Sequence, residues 1–169
     1  MEKDSREECF QYQLDILKME IQNIDTLISR MDEMAQATKN WAIGMWTGSI
    51  AIMLSQPGLR GFVILSAIPP LLFWYIDANF RRLQNRSIFR ANKITKFLNG
   101  EDIAQSFEEK RLVNFIVLDP TGRQYAGESE YKRFASFKRT IKFKEVRVFY
   151  LVLILLSLGL GAFFLLQGS

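Results

Sequence analysis

Sixteen of the 22 Lys and Arg residues fall between residues 81 and 147, interleaved with aromatic side chains. The densest run is Tyr131-Lys132-Arg133-Phe134-Ala135-Ser136-Phe137-Lys138-Arg139, followed by Lys142, Phe143 and Lys144. Cations at this density can track phosphates, and rings set among them offer faces for base stacking. Upstream, Arg82, Arg86, Arg90 and Lys93 recur at helical spacing and give one helix face a positive stripe. The expected ligand contacts are therefore Arg82, Arg86, Arg90, Lys93, Lys132, Arg133, Lys138 and Arg139. Three partners suit such a surface: anionic lipid, a nucleotide or single-stranded nucleic acid, or acidic helices of the same oligomer. Residues 1–40 carry a net charge of −4 against +8 for residues 81–147, so the third pairing has its complement within the chain.

Catalytic chemistry has little to work with. Histidine is absent and Cys9 is the single cysteine, which removes structural zinc sites, Ser-His-Asp and Cys-His catalysis, and internal disulfides. Neither GxxxxGKS/T nor GxGxxG occurs, so no loop is built to cradle phosphate. Carboxylate-only catalysis needs a paired set of acids, and no pair stands out from the scattered ones. An enzyme is not expected, nor any metal or cofactor. Asp77 is expected at the membrane boundary with Arg81, four residues on, as its local partner; an intramembrane acid with a function is the other reading.

The elements that must carry these residues read as membrane helices. Overall apolar content is 49% with a mean hydropathy of +0.01, an average over two opposite kinds of segment. Val148 to Leu166 is 19 residues without a charge, which at helical rise spans roughly 28 Å, about the hydrocarbon thickness of a bilayer. Trp41 to Gln56 and Gly61 to Phe80 read as a hairpin, with Gln56-Pro57-Gly58-Leu59-Arg60 as its turn. Pro69-Pro70 should kink or break the returning helix. Trp41, Trp74 and Tyr75 stand where an interfacial aromatic belt is expected. Residues 1–40 hold five Lys and Arg, the turn one, and the tail Gln167-Gly168-Ser169 none. The positive-inside rule then puts the N-terminus and the 81–147 region in the cytoplasm and the C-terminus outside. No cleavable signal peptide is expected, because the first 40 residues are charged throughout.

The N-terminal segment has the strictest periodicity. Phe10, Leu14, Leu17, Ile21, Ile24, Ile28, Met31 and Ala35 alternate spacings of four and three, the seam of a left-handed coiled coil. A self-associating seam through Leu14, Leu17, Ile21, Ile24, Ile28 and Met31 is expected, in a tetramer or pentamer. The competing reading is an amphipathic helix packed on the chain's own cytoplasmic part. Continued into the first span, the register selects Ala42, Met45, Ser49 and Ile52 as lining of a central axis, a face suited to a pore gated by dewetting. Gly44 and Gly48 form GxxxG, and Ser157 and Gly161 a second small-xxx-small pair.

The expected fold is an all-α membrane protein: a coiled-coil helix over 1–39, a transmembrane hairpin over 40–80, a basic, mostly helical cytoplasmic region over 81–145 and a third transmembrane helix over 146–169. A helix should run on from the second span to about Asn99-Gly100. Within the basic region, Val113 to Leu118 predicts a short strand ending at the turn Asp119-Pro120-Thr121-Gly122. The stretch from Asn40 to Arg90, with PPLLFWYIDANFRRLQNRSIFR at its centre, resembles a family of small bacterial inner-membrane proteins. These share an aromatic-Asp-Ala hairpin with an Arg-rich continuation; LDPTGRQY and the Phe-Tyr opening of the third span look like the same group. The resemblance implies a membrane effector of anti-phage systems, such as the channel subunit of the Hailong type. It further implies a nucleotidyltransferase partner, a nucleic-acid oligomer as controlling ligand, and depolarisation of the membrane. A non-conducting scaffold or sensor recruiting a partner through the coiled coil is the alternative.

Overall fold

The heptad pattern becomes one uninterrupted helix, α1, from Glu2 to Ser55. The computed structural model describes residues 2–167, and side chains from residue 5 to residue 166. Met1, Gly168 and Ser169 lie outside the described residues, so the expected exterior tail is not placed. A 3-10 helix, Pro57–Ala67, follows, then α2 (Ile68–Leu98), α3 (Glu101–Glu109), a 3-10 turn at Arg123–Tyr125, α4 (Ser129–Phe134), α5 (Phe137–Thr140) and α6 (Lys144–Gln167). The chain divides into two compact units, Met1–Met31 with Leu83–Ala135, and Asp32–Arg82 with Ser136–Ser169.

In the first unit, α1 turns Leu17 and Ile24 against Ile94 and Phe97 of α2. Phe10 is packed edge-on to Phe107 of α3 at a centroid distance of 5.3 Å. The expected self-associating seam is thus partly occupied by the chain itself. Phe10, Leu17, Ile24 and Met31, one every seven residues, are buried, while Leu14, Ile21 and Ile28 are half-buried. A 3.5-residue period requires a partner helix, and here α2 supplies it.

The predicted strand does not form, and no strand occurs among the described residues. Asn114 and Leu118 take positive φ values of 54° and 68°, which interrupt any pleat. Instead of a ladder, side chains take up this segment's backbone groups. The N–H of Leu112 donates to Gln13 Oε1 (3.1 Å), that of Val113 to Ser106 Oγ (2.9 Å) and that of Leu118 to Glu20 (2.8 Å). The predicted turn after it does form. Gly122 N–H bonds Asp119 O at 2.9 Å, and the Asp119 carboxylate accepts the N–H groups of Arg123 and Gln124 at 2.8 and 2.9 Å. Gly122 sits at φ 63°, where an added Cβ would also stand 3.3 Å from the Tyr131 ring. Gly122→Ala should lower stability by about 1–2 kcal/mol, the left-handed penalty, whereas Gly127→Ala, in open space, should leave the melting temperature nearly unchanged.

In the second unit, the returning segment breaks at the prolines, which start a new helix. The 3-10 helix gives way to α2 at Ile68, so Pro69 and Pro70 fall in the first turn, where a missing N–H costs nothing. In the 3-10 helix Val63, Ser66 and Ala67 are buried, while Phe62, Ile64 and Leu65 are exposed. Ala42, Val146 and Tyr150 form the core, with Phe73, Trp74, Phe143 and Phe149 around it. Two helical stretches, Pro57–Leu98 and Ser129–Leu166, are long and apolar enough to cross a membrane, and only 22% of the most apolar part of each is buried inside. The expected first span, Trp41 to Gln56, is helical as far as Ser55 but is not among them.

Candidate functional site

The eight expected ligand contacts are shared between the units. Arg86, Arg90, Lys93, Lys132 and Arg133 belong to the first; Arg82, Lys138 and Arg139 belong to the second. Lys132, Arg133, Lys138 and Arg139 are exposed, and Arg82 and Arg86 are half-buried. Lys93 is engaged by Glu128 at 2.9 Å and lies over the Tyr125 ring, 4.9 Å from its centroid.

Arg90 leaves the expected stripe altogether. It is 0% exposed and forms a two-point pair with Glu20, Nε at 2.7 Å and Nη2 at 3.1 Å. Its remaining donors meet the Ile116 carbonyl and the Tyr125 hydroxyl (3.1 Å), and its guanidinium carbon lies 4.5 Å from the Phe115 ring centroid. Glu20 in turn accepts the N–H groups of Leu118 and Asp119 at 2.8 and 3.2 Å. Each nitrogen of Arg90 and each carboxylate oxygen of Glu20 is thus hydrogen-bonded, and the pair holds residues 116–125 to α1 and α2. Burial of a charge on this scale is tolerated only with such saturation. Glu20 escaped the sequence reading; its signal was position, an acid three residues after Leu17 and four before Ile24 on the apolar face. At the rim of the same unit, Lys110 bonds Glu7 at 2.8 Å and holds that carboxyl below its usual range.

The second unit contains two buried polar clusters. In the first, Trp46 Nε1 donates to Ser157 Oγ (2.8 Å), Ser66 Oγ donates to the same oxygen (2.9 Å), and the Ser157 hydroxyl donates to Leu153 O (3.0 Å). One serine thereby ties α1, the 3-10 helix and α6 together. The second cluster surrounds Asp77. Its expected partner, Arg81, instead bonds Asp32 of α1 at 2.6 Å. Asp77 is 0% exposed, and neither of its carboxylate oxygens has a hydrogen-bond partner; the Tyr150 hydroxyl has none either. Trp74 stacks on Tyr150 at 6.4 Å and 11° and donates from Nε1 to Ile141 O at 3.2 Å.

The expected pore face is only partly outward. Ala42 is buried against Val146 and Tyr150, Ser49 is half-buried with its hydroxyl on Met45 O (2.7 Å), and Met45 and Ile52 are 50% and 61% exposed. The two small-residue pairs also part company. A Cβ on Gly161 would stand 2.9 Å from Ile64 Cβ, whereas Gly44 and Gly48 face open space. Comparison of the chain with protein-family models, with curated proteins and with solved structures gives no match.

Proposed function

We propose that the chain is one subunit of a homo-oligomeric channel in a bacterial inner membrane, with three spans and its basic region in the cytoplasm. The observation that carries this reading is the division of α1 within the second unit. One face is committed internally through Ala42 and Trp46, while Gly44, Met45, Gly48 and Ile52 stay open. A glycine pair with nothing over it lets a second backbone approach closely, which is how helices associate in lipid. The hydrogen bond from Trp46 to Ser157 supports counting Trp41–Gln56 as a third span. Such a bridge ties this segment to the longest apolar stretch of the chain. Lipid is the natural neighbour of the exposed Leu155, Phe163 and Leu166.

In this reading Met45, Ser49 and Ile52 line the conducting axis, and Ala42 does not. The assembly contact sits on residues 44–52 of α1, because half of the N-terminal seam is engaged within the first unit. The ligand is a nucleotide or nucleic-acid oligomer meeting Lys132 and Arg133 of the first unit. A nucleotidyltransferase supplying it, and membrane depolarisation in anti-phage defence, complete the proposal. The test is conductance of the purified protein in planar bilayers, with its mass in detergent measured alongside. A closed oligomer is expected that conducts, changes unitary conductance on Ile52→Ala, and dissociates on Gly48→Leu. A monomer, or an oligomer without conductance, would reject the channel. A non-conducting scaffold then takes its place, favoured by the open groove that Ile21, Asp25, Ala91, Ile94, Thr95 and Leu98 line in the first unit.

A further inference from the structure

Asp77 is the single acid of the chain that is buried without a partner, among the described residues. Its carboxylate and the Tyr150 hydroxyl, contributed by α2 and α6, lie beside one another within the second unit, with Trp74 and Val146 packed against Tyr150. Two cations are in electrostatic reach, Lys39 of α1 and Arg81 of α2. Neither hydrogen-bonds the carboxylate, and Arg81 is engaged by Asp32. A carboxylate so placed accepts no hydrogen bond, the Tyr150 hydroxyl is the one donor beside it, and a buried charge without a partner is costly.

We propose that Asp77 and Tyr150 form a proton-binding site. Taking up one proton converts the carboxylate to a carboxyl group, with no bond broken and no electron moved. The new O–H adds a second donor beside the Tyr150 hydroxyl, and the Tyr150 oxygen can accept it. The geometry selects a proton over a metal ion. No group of three or more Asp, Glu, His or Cys side chains comes together among the described residues, so the carboxylate set that calcium or magnesium takes is missing here. Loss of the proton would leave an unpaired anion between α2 and α6, so proton occupancy is tied to the contact between these helices. This goes beyond the channel reading and stands whether or not the protein conducts.

Infrared spectroscopy of the full chain in phosphatidylcholine vesicles tests the site. At neutral pH the exposed acids are ionised, so a protonated-carboxyl stretch reports a buried one. The wild-type protein should show this band, Asp77→Asn should lack it, and Tyr150→Phe should keep it at a shifted frequency because the acceptor is gone. Absence of the band from the wild type at neutral pH overturns the proposal, without reliance on any variant. Persistence of the band in Asp77→Asn overturns it equally, and an unmoved band in Tyr150→Phe removes the tyrosine from the site.

Discussion

Arg90→Ala should unfold the first unit, at a cost of about 3–5 kcal/mol, the range for breaking a buried ion pair from one side. The loss exceeds that of a surface bridge because Glu20 stays behind, 2% exposed, with its charge uncompensated. Arg90→Lys should recover only part of the stability, since an ammonium cannot reproduce the two-point contact with Glu20 while also reaching Tyr125. Glu20→Gln should also destabilise, because its side-chain amide would face the Arg90 donors. The double substitution Glu20→Leu with Arg90→Met should lose much less than the sum of the single changes, since removing both charges leaves neither stranded. Urea denaturation followed by circular dichroism measures the stabilities. Hydrogen exchange at the Leu118 and Asp119 amides, both bonded to Glu20, locates the loss. Lys132→Ala, an exposed change, should stay within about 0.5 kcal/mol of wild type. An Arg90→Ala protein as stable as that control would mean that the pair does not hold the first unit together.

The same pair shows where sequence reading reaches its limit. The 3.5-residue period of α1 was legible because it is a property of one helix. Which helix covers it is not such a property, and α2 of the same chain meets the requirement through Ile94 and Phe97. Arg90 shares its spacing with Arg82 and Arg86, so the stripe looked uniform. Only Glu20, 70 residues away, turns Arg90 inward. Val113 to Leu118 carries the composition of a strand, yet Gln13, Glu20 and Ser106 take its amides one by one. The turn at Asp119-Pro120-Thr121-Gly122 was readable because its bonds are local. Asp77 was singled out at the membrane boundary, but the hydrogen bond of Arg81 to Asp32 of α1 is a tertiary event. Ser157 was noted as a small residue; its bonds to Trp46 and Ser66 span 111 and 91 residues.

The second large effect is expected from a single methyl group at Gly161. Gly161→Ala should destabilise the second unit by about 1–3 kcal/mol, the usual cost of overpacking. Its Cβ would stand 2.9 Å from Ile64 Cβ and 3.1 Å from both Ile64 Cα and Ile64 N. Two of those three atoms are backbone, so no side-chain rotation relieves the clash. Either α6 moves away or the 3-10 helix bends. Gly159→Ala is the matched control, two residues earlier on the same helix with nothing within 4 Å of its added Cβ. There the gain in helix propensity, up to about 1 kcal/mol, should show alone, so the two alanines should act in opposite directions. Ser157→Ala separates steric fit from hydrogen bonding on the same helix. Interhelical bonds in membrane proteins average about 0.6 kcal/mol, so losing both Trp46 and Ser66 as donors should cost no more than the Gly161 clash. Unfolding in mixed micelles, followed by Trp46 emission in a Trp41→Phe, Trp74→Phe background, reads all three variants against one reporter. If Gly161→Ala proves neutral while Ser157→Ala destabilises, polar bonding and not close packing holds α6 in place. The glycine face left open on α1 would then lose its physical basis as an assembly surface, because the same close-approach argument underlies both.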